Sequence, residues 1–320
     1  MNEIWVVILS DRLPLSKASL NSLAAGRICK QADSTLTAIL PSGQPLSAQD
    51  LSLAGIDRAI YAEFSEHSSS SIAHFLHSFA QKQKPSIILL PADSFGRETA
   101  ARLDTRLQSY LFQDCIALKA APSGKSWMWV RHCMSGQRLE LYPKTPNSTL
   151  PQLVTIAPSP FWDVVSTERP HPVEVLYHNF PSDHATCCLE KISKKAKAAV
   201  DLENADIIVS GGRGLGGPEG FQLLSQLAKQ LHGTIGASRA AVDAGWIDHT
   251  YQIGQSGKTV SPRLYIACGI SGSIQHQSGM RSAHQIIAIN TDPSAPIFKI
   301  ADYGIVGDLY TIIPTLISLL

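Results

Sequence analysis

Hydrophobic positions in the first half of the chain alternate between short continuous runs and helical spacing. Residues 4–9 and 87–90 are unbroken apolar runs, and residues 36–40 form a similar one, a pattern typical of strands buried on both faces. Between them, apolar residues recur at steps of three and four, at positions 20, 23, 24 and 28 and again at 72, 75, 76 and 79, which predicts two helices. Strands and helices in this alternation predict a mostly parallel sheet with right-handed crossovers.

The middle of the chain has a different pattern. Residues 115–162 are irregular and β-like, and residues 127–130 and 139–142 fit either a hairpin or the last strands of the sheet. The stretch 180–202 contains Pro181 and the basic run 191–197, which is typical of a linker with a solvated face. We therefore predict an N-terminal α/β domain over residues 1–185, a linker over 186–202 and a second domain over 203–320.

The alternation of strands and helices resumes more strongly in the second domain. Helical patterns at 220–231 and 308–320 are interleaved with strand-like runs at 206–210, 234–236, 264–268, 286–289 and 297–300. Both domains are therefore predicted to be α/β with mostly parallel sheets between layers of helices, a Rossmann-like three-layer αβα architecture. The second domain is predicted to be doubly wound.

The composition limits the classes of partner. Of the 320 residues, 44% are hydrophobic and 17% are charged, and Lys+Arg 27 against Asp+Glu 26 leave a net charge of +1. This balance gives no general attraction to nucleic acid or to an anionic membrane, so an anionic ligand needs a local site. No apolar run approaches the roughly 18 residues of a membrane span, and the N-terminus has no signal or transit character. The six cysteines include no CxxC pair, which favours a reduced, cytoplasmic protein.

A glycine-rich segment lies between a predicted strand and a predicted helix. Residues 210–217 are Ser-Gly-Gly-Arg-Gly-Leu-Gly-Gly, and glycines there let the backbone approach a phosphate beside the free N–H groups of a helix start. The segment also matches GxGxxG, but a NAD-binding fold carries an acid after the next strand, where this chain has Ser238 and Arg239. A pyridine-nucleotide enzyme is therefore disfavoured, and a purely structural tight turn stays open for this motif.

Polar residues also follow other predicted strands of the second domain. Ser238 and Arg239 follow one strand, residues 269–276 follow another, and Asn290 follows a third, while 254–258 and 301–308 form polar turns. The carboxyl ends of parallel strands meet at one edge, and doubly wound sheets bind their ligands there. Structural roles stay open for two residues, because a lone Arg239 fits a surface ion pair and His276 fits a hydrogen-bonded histidine at a helix start.

Several of these segments resemble one known family. Within residues 264–290, Gly-Ile-Ser-Gly, Ile-Gln-His and Ala-Ile-Asn resemble the signature of electron transfer flavoprotein alpha subunits, including the bacterial FixB-like branch. Ser-Gly-Gly-Arg-Gly from residue 210, Gly-Ala-Ser-Arg-Ala-Ala-Val-Asp-Ala-Gly from 236 and Ala-Asp-Tyr-Gly-Ile-Val-Gly-Asp-Leu from 301 are similar to further landmarks in the same order. The resemblance covers residues 203–320. The first half is similar only in its layout and in Gly-Arg-Glu-Thr-Ala-Ala-Arg-Leu at 96–103.

The resemblance implies an FAD stretched across the second domain. It places Arg239 over the isoalloxazine ring, His276 near the N1/O2 side and the Ser256 hydroxyl near N5, where many family members carry threonine. A cation over the ring and a donor at N1/O2 both favour negative charge on the flavin. The residues implied to contact FAD, from the ring to the adenine end, are Arg213, Ser238, Arg239, Ile253, Gly254, Gln255, Ser256, Gly257, Ser271, Gly272, Ser273, Ile274, Gln275, His276, Asn290, Asp308 and Leu309.

The same resemblance implies an electron carrier rather than an enzyme. Family members work as heterodimers with a beta subunit, which completes the flavin site and carries AMP, and the N-terminal domain is expected to contact it. Electrons pass from flavin dehydrogenases, such as the acyl-CoA dehydrogenases of fatty acid β-oxidation, to an acceptor such as a quinone oxidoreductase. A non-redox scaffold that has lost its flavin is the remaining alternative. No metal site is expected, since His178, His184, Cys187 and Cys188 have no recognised ligand spacing.

Overall fold

A computed structural model of the chain describes residues 2–9, 15–41, 46, 51, 55–63, 68–121, 127–134, 138–143, 150–159, 162, 172–179 and 200–320. The chain divides into two compact units, one of Met1–His132 with Leu139–Lys194 and one of Lys195–Leu320 with the short Cys133–Arg138. Most of the linker predicted at 186–202 lies outside the described residues, as do the basic run 191–197 and His184, Cys187 and Cys188. The domain boundaries at 185 and 203 stay predictions.

The first unit is built on a sheet that has nine strands among the described residues, in the order β7-β6-β5-β8-β4-β1-β2-β3-β9. Six strand pairs are parallel, and β5 and β6 are antiparallel. The strands are β1 (Asn2–Val7), β2 (Ser34–Leu40), β3 (Arg58–Glu63), β4 (Ile87–Pro91), β5 (Tyr110–Ala120), β6 (Trp127–Cys133), β7 (Arg138–Pro143), β8 (Gln152–Ile156) and β9 (Glu174–Asn179).

Helices cover both faces of this sheet. They are α1 (Lys17–Cys29), α2 (Ser69–Gln83) and α3 (Ser94–Leu107). Successive residues of a strand point to opposite faces. Ile4 and Val6 of β1 belong to one buried cluster with residues of α1. Trp5 and Val7 belong to another with residues of α2 and α3, so the predicted three-layer arrangement is confirmed for this unit.

Sequence patterns located most elements of the first unit. The runs at 4–9, 36–40 and 87–90 are β1, β2 and β4, the two helical patterns are α1 and α2, and 127–130 and 139–142 lie in the neighbouring strands β6 and β7. The prediction missed β3, a six-residue strand with charged residues at both ends, as well as β9 and α3. Asp93 caps the start of α3, and its carboxylate accepts a hydrogen bond of 2.7 Å from the Gly96 N–H.

The second unit contains a five-stranded parallel sheet in the order β11-β10-β12-β13-β14. Its strands are β10 (Ile207–Gly211), β11 (Thr234–Ala237), β12 (Leu264–Cys268), β13 (Gln285–Asn290) and β14 (Tyr303–Val306). Its helices are α4 (Gly220–Gln230), α5 (Arg239–Asp243), α6 (Ile274–Met280) and α7 (Leu309–Leu319), with short 3-10 turns at Arg213–Leu215, His249–Tyr251 and Pro296–Lys299. Within the ranges described above, no helix is both long and apolar enough to cross a bilayer.

The strand order creates a switch point in this sheet. From β10 the chain moves outward to β11 and then returns to β12 on the other side of β10. The loops that leave β10 and β12 therefore run in opposite directions, and a crevice opens between them at the carboxyl edge. Val209 and Ile266 pack with α4 and α7 on one face, and Ile208 and Tyr265 pack with α6 on the other, which confirms the doubly wound architecture.

Two predictions for the second unit are corrected. The strand predicted at 297–300 is wrong, since Pro296–Lys299 forms a 3-10 turn. Pro296 stands at the start of this turn, where its fixed φ favours a helical beginning, and the Ile297 N–H donates to the Ser271 carbonyl at 3.0 Å rather than to a strand. Instead, β14 is the edge strand, within residues predicted to be a turn, and its exposed side chains explain why its pattern was weak.

Candidate cofactor site

A cavity of about 950 Å³ opens at the carboxyl edge of the second sheet. It is lined by residues that follow β10, β11, β12 and β13, so it spans the switch point. Its size matches the upper range of small-molecule and cofactor pockets. Twelve of the predicted FAD contacts line it, namely Arg213, Ser238, Arg239, Ile253, Gly254, Gln255, Ser256, Ser271, Ser273, Gln275, His276 and Asn290.

Within the described chain, the other five predicted contacts do not line the cavity. The two glycines shape the loops around it, and Ile274 is exposed on α6. Asp308 caps α7 by accepting a hydrogen bond of 3.0 Å from the Tyr310 N–H, and Leu309 packs in the buried core. Their predicted contact with the adenine stays a prediction. The five residues are Gly257, Gly272, Ile274, Asp308 and Leu309.

Seven lining residues were not predicted individually. Some belong to motifs that the sequence did indicate. These residues bring their backbone close to the cavity, and a sequence pattern does not reveal such a role because no side chain carries it. Asp243 could have been found, because it lies four residues after Arg239 on a helix, the spacing of an ion pair. The seven are Gly214, Ala240, Asp243, Gly269, Ile270, Asp292 and Ala295.

The glycine-rich segment brings the two loops of the switch point into contact. The Gly212 N–H donates to the Cys268 carbonyl and the Gly214 N–H to the Gly269 carbonyl, each at 2.9 Å. A Cβ on Gly214 would lie 2.7 Å from the Gly269 Cα, closer than side chains tolerate. Gly212 and Gly214 are therefore required by close packing between the two loops, and Gly214 also lines the cavity, so the structure does not reduce this motif to a structural tight turn.

Ser238 brings a buried hydroxyl to the cavity. Its backbone N–H donates to the Gly211 carbonyl at 2.9 Å, and it stands at the N-cap of α5 without a side-chain capping bond. The Ser238 Oγ is buried, and no described group is its hydrogen-bond partner. Buried polar atoms in native proteins are usually paired, and Ser238 is one of the residues around the cavity, so its hydroxyl is a candidate to bind a polar group of a ligand.

Arg239 forms the ion pair that the sequence left open as an alternative. Its Nε lies 3.2 Å from the Asp243 Oδ2, one helical turn further along α5, and both side chains are largely exposed. Both residues also line the cavity, so the guanidinium stays at its rim. The placement of Arg239 over the isoalloxazine ring stays a prediction.

The loop after residue 252 forms one wall of the cavity. Gly254 adopts φ +139°, and a Cβ there would lie 2.9 Å from the Gln275 carbonyl oxygen, so the position requires glycine. The Gln255 N–H donates to that same carbonyl at 2.8 Å. The Ser256 Oγ accepts a hydrogen bond of 3.0 Å from the Gln252 Nε2, which leaves its own hydroxyl proton free to be donated.

His276 is buried, with both ring nitrogens within hydrogen-bond distance of protein groups. Its Nδ1 lies 3.1 Å from the Ile253 carbonyl oxygen, and its Nε2 lies 3.0 Å from the Tyr265 hydroxyl. Burial lowers the pKa of His276 to about 4, so the ring is neutral near pH 7. The hydrogen-bonded histidine that the sequence left open is therefore what the structure has. In this arrangement the ring has no N–H left for flavin N1/O2, so the predicted donor role needs His276 to change partners and stays a prediction.

Asn290 connects the loops after β12 and β13. Its Nδ2 donates to the Ile270 carbonyl at 3.0 Å, and its Oδ1 accepts from the Asp292 N–H at 3.0 Å. The Ser294 hydroxyl and N–H both hydrogen-bond to the Asp292 carboxylate and lower the pKa of Asp292. This carboxylate places negative charge at the Asn290 end of the cavity.

The fold and the cavity define an α/β protein that binds a nucleotide-type cofactor at a switch point. Residues 201–281 match the family model of the electron transfer flavoprotein FAD-binding domain, and residues 4–178 match that of the electron transfer flavoprotein domain. The chain belongs to the electron transfer flavoprotein alpha-subunit family, which includes FixB-like proteins, and its cofactor is FAD.

Relatives match along most of their length. Protein FixB of Clostridium saccharobutylicum is 38% identical over 323 residues, which cover 98% of this chain and 95% of that protein. The electron transfer flavoprotein subunit alpha of Thermoanaerobacterium thermosaccharolyticum is 44% identical over 255 residues, covering 79% of this chain and 76% of that protein. The corresponding subunit of Bacillus subtilis is 36% identical over 307 residues, 94% of this chain and 92% of that protein.

Proposed function

We propose that this chain is the alpha subunit of a heterodimer that carries electrons from flavin dehydrogenases, such as acyl-CoA dehydrogenases, to a quinone-linked acceptor. The observation that carries the proposal is the cavity at the switch point, with the buried Ser238 hydroxyl in its wall. FAD supplies the redox chemistry when bound, and the chain binds and orients it. No turnover of a substrate by the chain alone is expected.

The residues of the cavity have distinct tasks in this proposal. The Ser238 hydroxyl donates to an oxygen of the ribityl–phosphate portion, and Arg213 lies beside it. Arg239 leaves Asp243 and contributes positive charge at the ring, which favours electron uptake. The Ser256 hydroxyl directs its free proton at N5. Asn290 lies towards the adenosine.

Part of the cavity wall is exposed to solvent in this chain, and a beta subunit would cover it. Gln255, Ser256 and Ser273 line the cavity and are exposed to solvent in this chain. A partner that covers them excludes water from the flavin edge, which strengthens every electrostatic interaction there. We propose that this partner is the beta subunit, that it carries AMP, and that the heterodimer works in the cytoplasm.

Anaerobic electron transfer tests the proposed donor. The chain is co-purified with its beta subunit and mixed with an acyl-CoA dehydrogenase and its acyl-CoA substrate, while the flavin absorbance is recorded. We expect the absorbance to bleach only when dehydrogenase and substrate are both present, and to return when a quinone oxidoreductase is added. A flavin that a dithionite titration reduces but acyl-CoA dehydrogenase does not would contradict this donor while leaving the electron-carrier role intact.

A further inference from the structure

A short turn joins β12 to α6 along the cavity. Ser271 and Ser273 line the cavity, and Gly272 between them is buried, with φ +81°. A Cβ on Gly272 would overlap the backbone nitrogen of Ile297, so the turn packs directly against the 3-10 turn that follows β13. The path of this short turn decides which of its backbone groups face the cavity.

The three successive carbonyls of residues 270–272 accept hydrogen bonds from three other elements. The first two accept from the Asn290 Nδ2 and from the Ile297 N–H, each at 3.0 Å. The third, that of Gly272, accepts from the Gln277 Nε2 of α6 at 2.7 Å. Groups of the fold therefore hold every carbonyl of this turn.

The backbone N–H groups of the same turn point the other way. A trans peptide is planar, with its C=O and N–H antiparallel, so the N–H groups of residues 271–273 point away from the partners of the carbonyls. Among the described residues, none accepts a hydrogen bond from these three N–H groups. Successive backbone N–H groups can form a site for an anion, and the pyrophosphate is the anionic part of FAD.

Gln277 holds its carbonyl from outside the cavity. Its side chain is buried, and it does not line the cavity in the described structure. The Nη1 of Arg281 lies 3.4 Å from the Gln277 Oε1. Because arginine can only donate and the Gly272 carbonyl can only accept, both partners fix the same orientation of the amide, with its nitrogen on Gly272.

We infer that Gln277 is a positioning residue for the pyrophosphate of FAD: its amide holds the Gly272 carbonyl on the protein side of the turn, which directs the Ser273 N–H towards the cavity. Only the effect on FAD rests on the proposed function, because the hydrogen bond lies within the chain. If the amide donor is removed, the peptide between Gly272 and Ser273 can rotate. The cofactor must then order this peptide when it binds, which lowers its affinity.

Side-chain amide NMR of the cofactor-free full chain tests the hydrogen bond itself. Glutamine side chains carry the nitrogen label, and Gln277→Met or Gln277→Glu identifies the Gln277 signal by its loss. We expect one Gln277 amide proton to exchange with water markedly more slowly than those of Gln226, which is exposed on α4. Equal exchange rates at the two positions would show that the bond to Gly272 is absent and would overturn the inference.

FAD binding tests the consequence for the cofactor. Gln277→Met removes the donor and keeps the length of the side chain, and Gln226→Met is the matched control. We expect the FAD dissociation constant to rise about three- to tenfold in Gln277→Met, the effect of about one lost hydrogen bond, and to stay unchanged in Gln226→Met. An unchanged constant in a folded Gln277→Met overturns the positioning role. A wild-type chain that binds no FAD contradicts the proposed function instead, and the exchange result still stands.

Gln277→Glu separates a lost donor from a packing defect, because it keeps the shape of the side chain. A neutral carboxyl group donates to the Gly272 carbonyl, and a carboxylate cannot. Arg281 is the charged group that faces this position, and it favours the carboxylate. Relative to the wild type, we expect the FAD dissociation constant of Gln277→Glu to rise about three- to tenfold from about pH 4.5 to about pH 8, and that of Gln226→Glu to stay level. A folded Gln277→Glu that binds FAD as tightly as the wild type at every pH overturns the inference.

Discussion

The buried hydroxyl of Ser238 lowers the stability of the free chain. Its oxygen is buried without a described hydrogen-bond partner, and such a group costs about 1–3 kcal/mol relative to a paired one. A binding site tolerates this cost because the ligand supplies the missing partner. The unpaired hydroxyl therefore lowers the folding stability of the free protein, and it forms a stabilising hydrogen bond only in the complex with the ligand.

Replacement of Ser238 by alanine should separate these two effects. We expect the free chain to unfold at an equal or slightly higher temperature, because the unpaired hydroxyl is removed, and the FAD dissociation constant to rise about tenfold for a lost hydrogen bond. Thermal unfolding with and without FAD measures both. Ser225→Ala is the control, since that hydroxyl bonds within α4 to the Phe221 carbonyl. Lower stability with unchanged affinity would show that the hydroxyl serves the fold.

Substitutions of Arg239 and of Asp243 should change FAD retention in opposite directions. Their ion pair is exposed, so breaking it changes folding stability by only about 0.3–0.5 kcal/mol. Arg239→Ala removes the cation at the cavity rim, and we expect weaker FAD retention. Asp243→Asn frees the guanidinium from its carboxylate, and we expect equal or tighter retention. Gel filtration followed by FAD release measures retention, and a matching loss in both variants would contradict the assigned charge effect.

At the scale of elements, the shape of the switch point depends on the close contact between the loops that follow β10 and β12. The loops after β10 and β12 touch through Gly214 and Gly269, and two backbone hydrogen bonds of 2.9 Å join them. Gly214 and Gly269 both line the cavity, so we expect this contact to shape the site at the sheet edge.

Two glycine substitutions in this segment should differ in their effect. In Gly214→Ala the new methyl meets the Gly269 backbone, which cannot move without breaking the loop contact, and we expect a loss of about 1–3 kcal/mol in unfolding free energy. Gly216 has φ +71° with no described atom within 4 Å of a Cβ, so Gly216→Ala should cost only about 1 kcal/mol. Denaturant unfolding compares the two. An equal loss in both would show that the loop contact is not close.

Long apolar runs were the elements easiest to predict, and burial alone was not sufficient, since β3 is buried over four residues and was missed. The apolar runs within β1, β4, β10 and β12 were found from the sequence, whereas the exposed edge strand β14 was not. The polar residues of the site were found because they follow strand ends, and parallel strands bring those ends together. The unpaired Ser238 oxygen and the Tyr265–His276 hydrogen bond could not be predicted, because they depend on distances across the fold. The ion pair of Arg239 with Asp243, in contrast, follows from their four-residue spacing on a helix.

At the scale of the whole molecule, His276 makes the stability of the protein dependent on pH. Burial lowers its pKa to about 4 in the folded chain, against about 6.5 for an ordinary histidine. The unfolded chain therefore binds more protons between these values, and stability is lost as the pH falls from about 6.5 to about 4. The loss attributable to this group is about 3 kcal/mol.

Denaturant unfolding at several pH values checks this dependence. We expect the wild type to lose stability with falling pH more steeply than His276→Asn, because asparagine takes up no proton in this range. The difference between the two curves should approach its full size near pH 4. Parallel curves would show that His276 is already charged, or exposed, in the folded protein.

The central claim is that the cavity at the carboxyl edge of the second unit holds FAD. The most direct test is a cofactor count on the full chain purified with its beta subunit, by visible absorption and by chromatography of the released nucleotides. We expect a flavin spectrum and an equimolar amount of FAD, with a markedly lower amount in Ser238→Ala. A colourless protein, or one that releases a nicotinamide nucleotide instead of FAD, would contradict the claim.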